Sequence, residues 1–406
     1  MAALVSVTIA GFAVVAVVAT SSRSDSTRAV STQTEPLLTE AQGLYAALSD
    51  ANATAATTFL TGGIEPRQRR LRYLADLHQA SSELTLLTRQ VGGSPAAGSA
   101  VATISARLPV YAGLIETART DNRQVLPVGA AYIRQASGMM RDQLLPASNE
   151  LYTVEAQRLA SDYHSGTSSQ ETGAVTAAAV VALAMLVIAQ IAIARRSRRV
   201  FNIPLVAASA VVLACGLWLL TGFVLEQRAL ARAQRGGSNT VEVMSAMRIL
   251  TLRAEGDESL ALIARGGGDQ DNADFLAVEH AFGHPLINEA MATSAATGTS
   301  AGLNRFLGAF TVYRDQHASI VNREQNGRFV QAISRAVGPH ATEPRAVALM
   351  NAGLNSEMAA AQARFDSSAN DASSALTGLR LGVPLLMLVS IGLALAGFRQ
   401  RIGEYR

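Results

Sequence analysis

Gly298-Thr299-Ser300-Ala301-Gly302 has the spacing of a nucleophile elbow, in which a serine is raised on a tight strand-to-helix turn beside a histidine and an acid. That chemistry needs a strand before the motif. The residues around it are alanine, serine, threonine and glycine, a composition in which a chance match is expected. His280 and His284 stand four apart beside Glu279, a spacing that can put two imidazoles on one helical face to hold zinc. Gly283 and Pro285 break a helix there and no third ligand is nearby, so an ordinary polar helix end is the simpler account. His78, His164, His317 and His340 are isolated, without a partner for nucleophilic or acid–base work. Cys215 is the single cysteine, which excludes an intrachain disulfide and a cysteine-based zinc site. The expectation is a protein with no catalytic residues, no metal and no cofactor.

Two arginine groups carry more information. Arg67, Arg69, Arg70 and Arg72 gather at a helix start, where positive charge is mildly unfavourable. Arg119, Arg123 and Arg134 are expected at a similar height. A solvated helix start offset by Glu65 is one account; docking of an acidic partner surface, or capture of a carboxylate, is the other. Arg195, Arg196, Arg198 and Arg199 fall in a short connection between two apolar runs. Topology accounts for them, with binding of anionic lipid headgroups and coupling to a cytoplasmic partner as further uses.

The elements that position these groups follow from composition. Of 406 residues, 49% are hydrophobic and 16% charged, against about 25% charged in ordinary soluble domains. Only 5% are aromatic and alanine is abundant, which favours helix over sheet. All 34 basic residues are arginine, yet the net charge of +3 is too small and dispersed to argue for nucleic acid. Four stretches reach the roughly 20 apolar residues that a bilayer core requires. They are 2–20, 173–194, 203–225 and 381–398, none with an ionisable group in its middle. Pro204 and Pro384 are expected in the first turns of their helices. The positive-inside rule then puts the loop 195–202 and the tail 399–406, with Arg399, Arg401 and Arg406, in the cytoplasm. Segments 21–172 and 226–380 lie outside, in a multi-pass cell-membrane protein with both termini cytoplasmic. A cleaved signal peptide is the competing reading of the first span, given small residues around Ala19, but the positive n-region it needs is missing and the uncleaved span is kept because the second half repeats it.

The layout recurs. A shift of 204 residues places Gly62-Gly63 on Gly266-Gly267 and nearly superposes the first two spans on the last two. An internal duplication is expected, with each outer segment an antiparallel helical bundle and the whole chain all-α. In the first segment helices should break at Gly62-Gly63, Gly92-Gly93 and Leu126-Pro127, with a kink at Pro109 and an interruption at Pro146. The turns 61–66 and 123–130 should share the membrane-distal end. Leu74, Leu77, Leu84 and Leu87, then Leu108, Tyr111, Ile115 and Ala118, have the spacing of a packed stripe, as do Val243, Met247, Leu250 and Ala254.

Three stretches carry a family resemblance: Phe59-Leu60-Thr61-Gly62-Gly63-Ile64-Glu65-Pro66, Arg72-Tyr73-Leu74-Ala75-Asp76-Leu77, and Asn122-Arg123-Gln124 through Pro127 to Arg134. They resemble the actinobacterial GlnX-type membrane proteins, and the four-span layout is similar along the chain. The resemblance implies acidic-amino-acid sensing with an extracytoplasmic solute-binding lipoprotein for glutamate or aspartate. It further implies relay to a cytoplasmic serine/threonine protein kinase, and it brings no catalytic residues. Membrane lipids are the remaining partners, and a homo-oligomer is compatible with the layout. Two other functions fit the same pattern: a structural or assembly protein of an envelope complex, and a direct small-molecule sensor. Transport does not, because the spans lack polar midplane groups and broken helices.

Overall fold

The structure is a computed structural model that describes residues 1–90, 94–166, 169–197, 202–265, 269–282, 286–298, 300–338 and 341–403. Among the described residues it is helical throughout, without a strand. The order is α1 (Ala2–Ala29), α2 (Glu35–Thr61), α3 (Arg67–Gln90), α4 (Pro95–Arg123), α5 (Gly129–Met139), α6 (Leu145–Gly166) and α7 (Ser169–Ser197). The second half has α8 (Ile203–Ala233), α9 (Asn239–Ala264), α10 (Asp269–Ala281), α11 (Ile287–Thr297), α12 (Ala301–Gln325), α13 (Phe329–Val337) and α14 (Glu343–Gly403). The Gly92-Gly93 and Gly266-Gly267 pairs lie outside the described residues.

Three fully described junctions are π-helical turns rather than breaks: Val30–Thr34 joins α1 to α2, Met140–Leu144 joins α5 to α6, and Gln234–Ser238 joins α8 to α9. Pro36 and Pro146 follow the first two. A proline offers no N–H and clashes with the carbonyl four residues back, and a widened turn before it accommodates both defects. The interruption expected at Pro146 is therefore a wide turn inside a continuing helix. Pro109 is likewise carried within α4. Pro204 does open α8, but Pro384 lies deep inside α14 and not in a first turn, because the helix from Glu343 never stops before the apolar run.

The chain forms two compact units. The first comprises Met1–Gln33, Leu159–Gln234 and Phe365–Arg406. Its core is a single apolar cluster drawn from α1, α7, α8 and α14, in which Val5, Ile9, Phe12, Ala16 and Ala19 repeat at three- and four-residue spacing. The outward faces are apolar too: Leu4, Val7, Val14 and Val18 on α1 and Leu381, Leu385 and Leu388 on α14 are exposed. A helix apolar on every side is a buried or membrane-spanning helix, so these long segments are compatible with a membrane protein. Close packing is built from glycine: a Cβ at Gly382 would collide with the Trp218 ring, and one at Gly222 with Leu379.

The second unit comprises Thr34–Arg158 and Arg235–Arg364. It holds most of the two segments between the apolar runs, with one apolar cluster from each and a third that includes Leu262, Ile320 and Ala332. Helices α2 and α9 meet through small residues: Gly256 lies beside Ala53, the Thr57 and Ser259 hydroxyls are 3.1 Å apart, and the Ser245 hydroxyl donates to Gln42 over 3.3 Å. The stripes at Leu108, Tyr111, Ile115 and Ala118 and at Val243, Met247 and Ala254 are buried. Leu74 is not; it faces outward at 41% exposure, because Tyr73 takes the inward position on that turn of α3. By length and composition five described helices are apolar enough to cross a membrane, one more than the sequence suggested. The fifth is α4, at a mean hydropathy of 1.2 against at least 2.2 for the other four. Its apolar character reflects the core of this unit, into which it sends Ile104, Leu108, Tyr111 and Ile115.

Candidate functional site

The turn after α2 forms because Gly62 and Gly63 adopt positive φ (65° and 61°), which ends the helix without strain. It meets the turn after α4: the Asn122 side chain donates to the Phe59 carbonyl over 3.0 Å, and Glu65 pairs with Arg119. The two turns thus share one end of the unit.

The arginines of this end do not act alike. Arg67, Arg123 and Arg134 are exposed and form no ion pair among the described residues. Arg70 reaches Glu116 at 2.6 Å, and Glu116 also accepts from Arg119 at 2.8 Å. Arg69 donates to the Thr57 carbonyl over 3.2 Å, and Arg72 pairs with Asp50 at 2.6 Å. Arg69 and Arg72 therefore both engage α2, and the Arg72 side chain stays half exposed.

Beneath them is a cavity of about 120 Å³, lined by Thr54, Thr57 and Thr58 from α2, Arg69 and Arg72 from α3, Glu255 from α9, and Pro344, Val347 and Ala348 from α14. Burial pushes the Glu255 carboxyl up to about 7, against the opposing pull of Arg72 and Arg69. Burial also lowers the Arg69 guanidinium, with Arg72 adding to the effect and Glu255 opposing it. Asp50 accepts from Arg72 and lies 3.9 Å from Arg248, while neighbouring Asp76 is pushed up to about 7 by burial and by Asp50. A second cavity, about 400 Å³, lies elsewhere in this unit between Tyr45, Tyr152, Glu242, Ile249 and Leu286.

A second buried polar group joins α9, α12 and α14. His317 pairs through Nδ1 with Glu258 and stacks on Phe275 with ring centroids 3.4 Å apart. Glu343 shares a hydrogen bond with Glu258, and burial holds its carboxyl well above the usual carboxylate range. His317, isolated in the sequence, is thus partnered across helices.

In the apolar unit Arg23 is fully buried. It donates to Glu226 at 2.9 Å and Thr172 at 3.0 Å, pairs with Glu171 at 3.1 Å, and lies 4.3 Å over the Phe223 ring. Thr27 donates to the second Glu226 oxygen over 2.9 Å. One guanidinium thus ties α1, α7 and α8 together.

The remaining sequence candidates have plainer places. Ser300 precedes α12, and Gly302 lets that helix cross α14, because its backbone abuts Gly353 and its N–H donates to Glu357 over 2.8 Å. Among the described residues no strand precedes it. His280 is exposed near the end of α10; His284 and His340 lie outside the described residues. Among the described residues no three His, Cys, Asp or Glu side chains gather as metal ligands. Arg195 is exposed at the end of α7; nothing is described of the Arg196 side chain, and Arg198 and Arg199 lie outside the described residues. Sequence reasoning missed Asp50, Glu255, Glu258 and Arg23. The signal for Asp50 was an acid at an inward position of the alanine-rich α2, and for Glu255 and Glu258 acids among the apolar positions of α9. For Arg23 it was a cation just past one apolar run, with Glu171 and Glu226 flanking two others.

No curated protein and no solved structure matches the chain. Residues 26–164, which hold α2 to α5, most of α6 and the Arg69 and Arg72 side of the 120 Å³ cavity, match the family model of the actinobacterial sensor domain, and a sensing role is what this similarity supports.

Proposed function

We propose that the protein is a non-enzymatic, four-span membrane signal transducer. It relays the state of an extracytoplasmic glutamate- or aspartate-binding lipoprotein to a cytoplasmic serine/threonine protein kinase. The observation that carries this reading is the sensor-domain match over 26–164, in a chain whose helices run on from the apolar segments. Residues 2–61, 203–264 and 343–400 are each continuous helix, so a shift at one end of such a helix is felt at the other. Arg23 then holds three of the spans in register.

The outer unit receives the lipoprotein at the shared end, where Arg67, Arg123 and Arg134 offer unpaired positive charge to an acidic surface. Arg195, Arg196, Arg198 and Arg199 meet the kinase and anionic headgroups in the cytoplasm. The two halves descend from one duplicated unit; in support, the turns at Val30–Thr34 and Gln234–Ser238 have the same offset as the two glycine pairs. The test is affinity capture of the full chain from detergent-solubilised membranes, with and without glutamate. Recovery of the lipoprotein and a kinase, at a ratio that glutamate changes, is expected. Recovery of neither under both conditions refutes the relay.

A further inference from the structure

We infer that the cavity between α2, α3, α9 and α14 is a binding site for a small zwitterion. The ligand's carboxylate is received by Arg69 and Arg72 and its ammonium by Glu255. The site stands independently of the relay, since it needs neither the lipoprotein nor the kinase.

Size comes first. About 120 Å³ is roughly ten times the space one water needs, and well under the 300 Å³ at which drug-sized pockets begin. The occupant has a handful of heavy atoms.

Charge selects its chemistry. Two guanidiniums and one carboxylate line a space otherwise closed by threonines, Pro344, Val347 and Ala348. Among the described residues Glu255 forms no hydrogen bond or ion pair, although both arginines are near enough to act on it electrostatically. Arg72 is paired with Asp50 and Arg69 donates to the Thr57 carbonyl, while Glu255 is held apart from both guanidiniums across the gap. Thr58, 6% exposed, also lines the gap, and its buried hydroxyl has no hydrogen-bond partner among the described residues. Burial penalises the charge on both Arg69 and Glu255, so each gains from a counter-charge placed in the gap. A bare carboxylate would satisfy only the arginines and a bare amine only Glu255, whereas a zwitterion satisfies both. The aliphatic wall from α14 suits a short apolar substituent. The Arg72 side chain, half exposed, and the exposed Ala348 mark the entrance.

The experiment is calorimetric titration of the full chain in lipid nanodiscs, without other proteins. The probes are glycine and L-alanine, with propionate and ethylamine as single-charge controls. Saturable binding of alanine is expected, with propionate and ethylamine weaker by about tenfold or more. Arg69→Gln and Glu255→Gln should each weaken alanine by about tenfold or more. Thr58→Val, which keeps shape and loses the hydroxyl, and Ala348→Leu, which narrows the mouth from an exposed position, give the same direction should either charge variant fail to fold. No saturable heat with either amino acid overturns the inference. Equal binding of propionate and alanine overturns the zwitterion assignment, as does alanine affinity unchanged in the folded variants. Failure to capture a lipoprotein or kinase leaves these readouts untouched, so the two readings fail separately.

Discussion

Glu255 should make the stability of the second unit fall with rising pH. Burial holds its carboxyl at about 7, while in the unfolded chain it titrates near 4.5. Between those values the folded state keeps a proton that the unfolded state has released. The unfolding free energy therefore decreases as pH rises through that window and is level again above it. At about 1.4 kcal/mol per pKa unit, the penalty reaches about 3 kcal/mol by pH 8. Glu255→Gln removes the titration at nearly constant shape. The variant should match the wild type near pH 4.5 and exceed it by up to about 3 kcal/mol at pH 8. At about 2–4 °C per kcal/mol for a domain of this size, the midpoints should separate by several degrees. Asp76 and Glu83 are also pushed up to about 7, so the wild-type slope should be reduced by one proton's worth and not abolished. The assay is thermal unfolding of the full chain in nanodiscs, followed by circular dichroism at 222 nm from pH 4.5 to 8. A gap between variant and wild type that stays constant with pH, or widens toward acid, refutes the reasoning.

Removing one partner of the buried Arg23 network, as in Glu226→Ala, should destabilise the apolar unit by up to about 3–5 kcal/mol, because the guanidinium loses its fully buried counter-ion and keeps only the partly exposed Glu171. Thermal unfolding checks this, and Arg23→Met with Glu226→Leu should recover most of the loss. Gly353→Val forces a side chain into the backbone of Gly302, and should cost about 1–3 kcal/mol or more; a loss below about 0.5 kcal/mol would rule out the tight α12–α14 crossing. Arg123→Glu with Arg134→Glu should change stability by less than about 0.5 kcal/mol, since both are exposed and unpaired. The same pair should reduce lipoprotein capture markedly, and undiminished capture would move the docking surface elsewhere.

Most helices were legible because their signals are local. The apolar runs, the glycine pair ending α2 and the stripe of Leu108, Tyr111 and Ile115 depend on nothing beyond a few turns of chain. What escaped the sequence is what depends on partners far along it. Arg69 and Arg72 read as a solvated helix start until α2 and α9 supply Asp50 and Glu255. Glu258 and His317 lie 59 residues apart and meet only through helix packing. Arg23 and Glu226 are separated by 203 residues. The prolines misled in the opposite sense. Pro146 and Pro384 carry a strong local preference for breaking a helix, and continuous packing on both sides overrides it.

The π turns have a consequence for evolution of the chain. Such a turn holds one residue more than the α turn it replaces, and one residue is about 100° of rotation about the helix axis. Deleting a single residue from Val30–Thr34 would leave an unbroken helix, yet spin every side chain on one side of the turn by that angle. Ile9 and Phe12 would leave the core while Leu37 and Leu44 kept theirs, or the reverse. The turn thus acts as a phase-setting spacer, and insertions or deletions near it should be tolerated far less than substitutions.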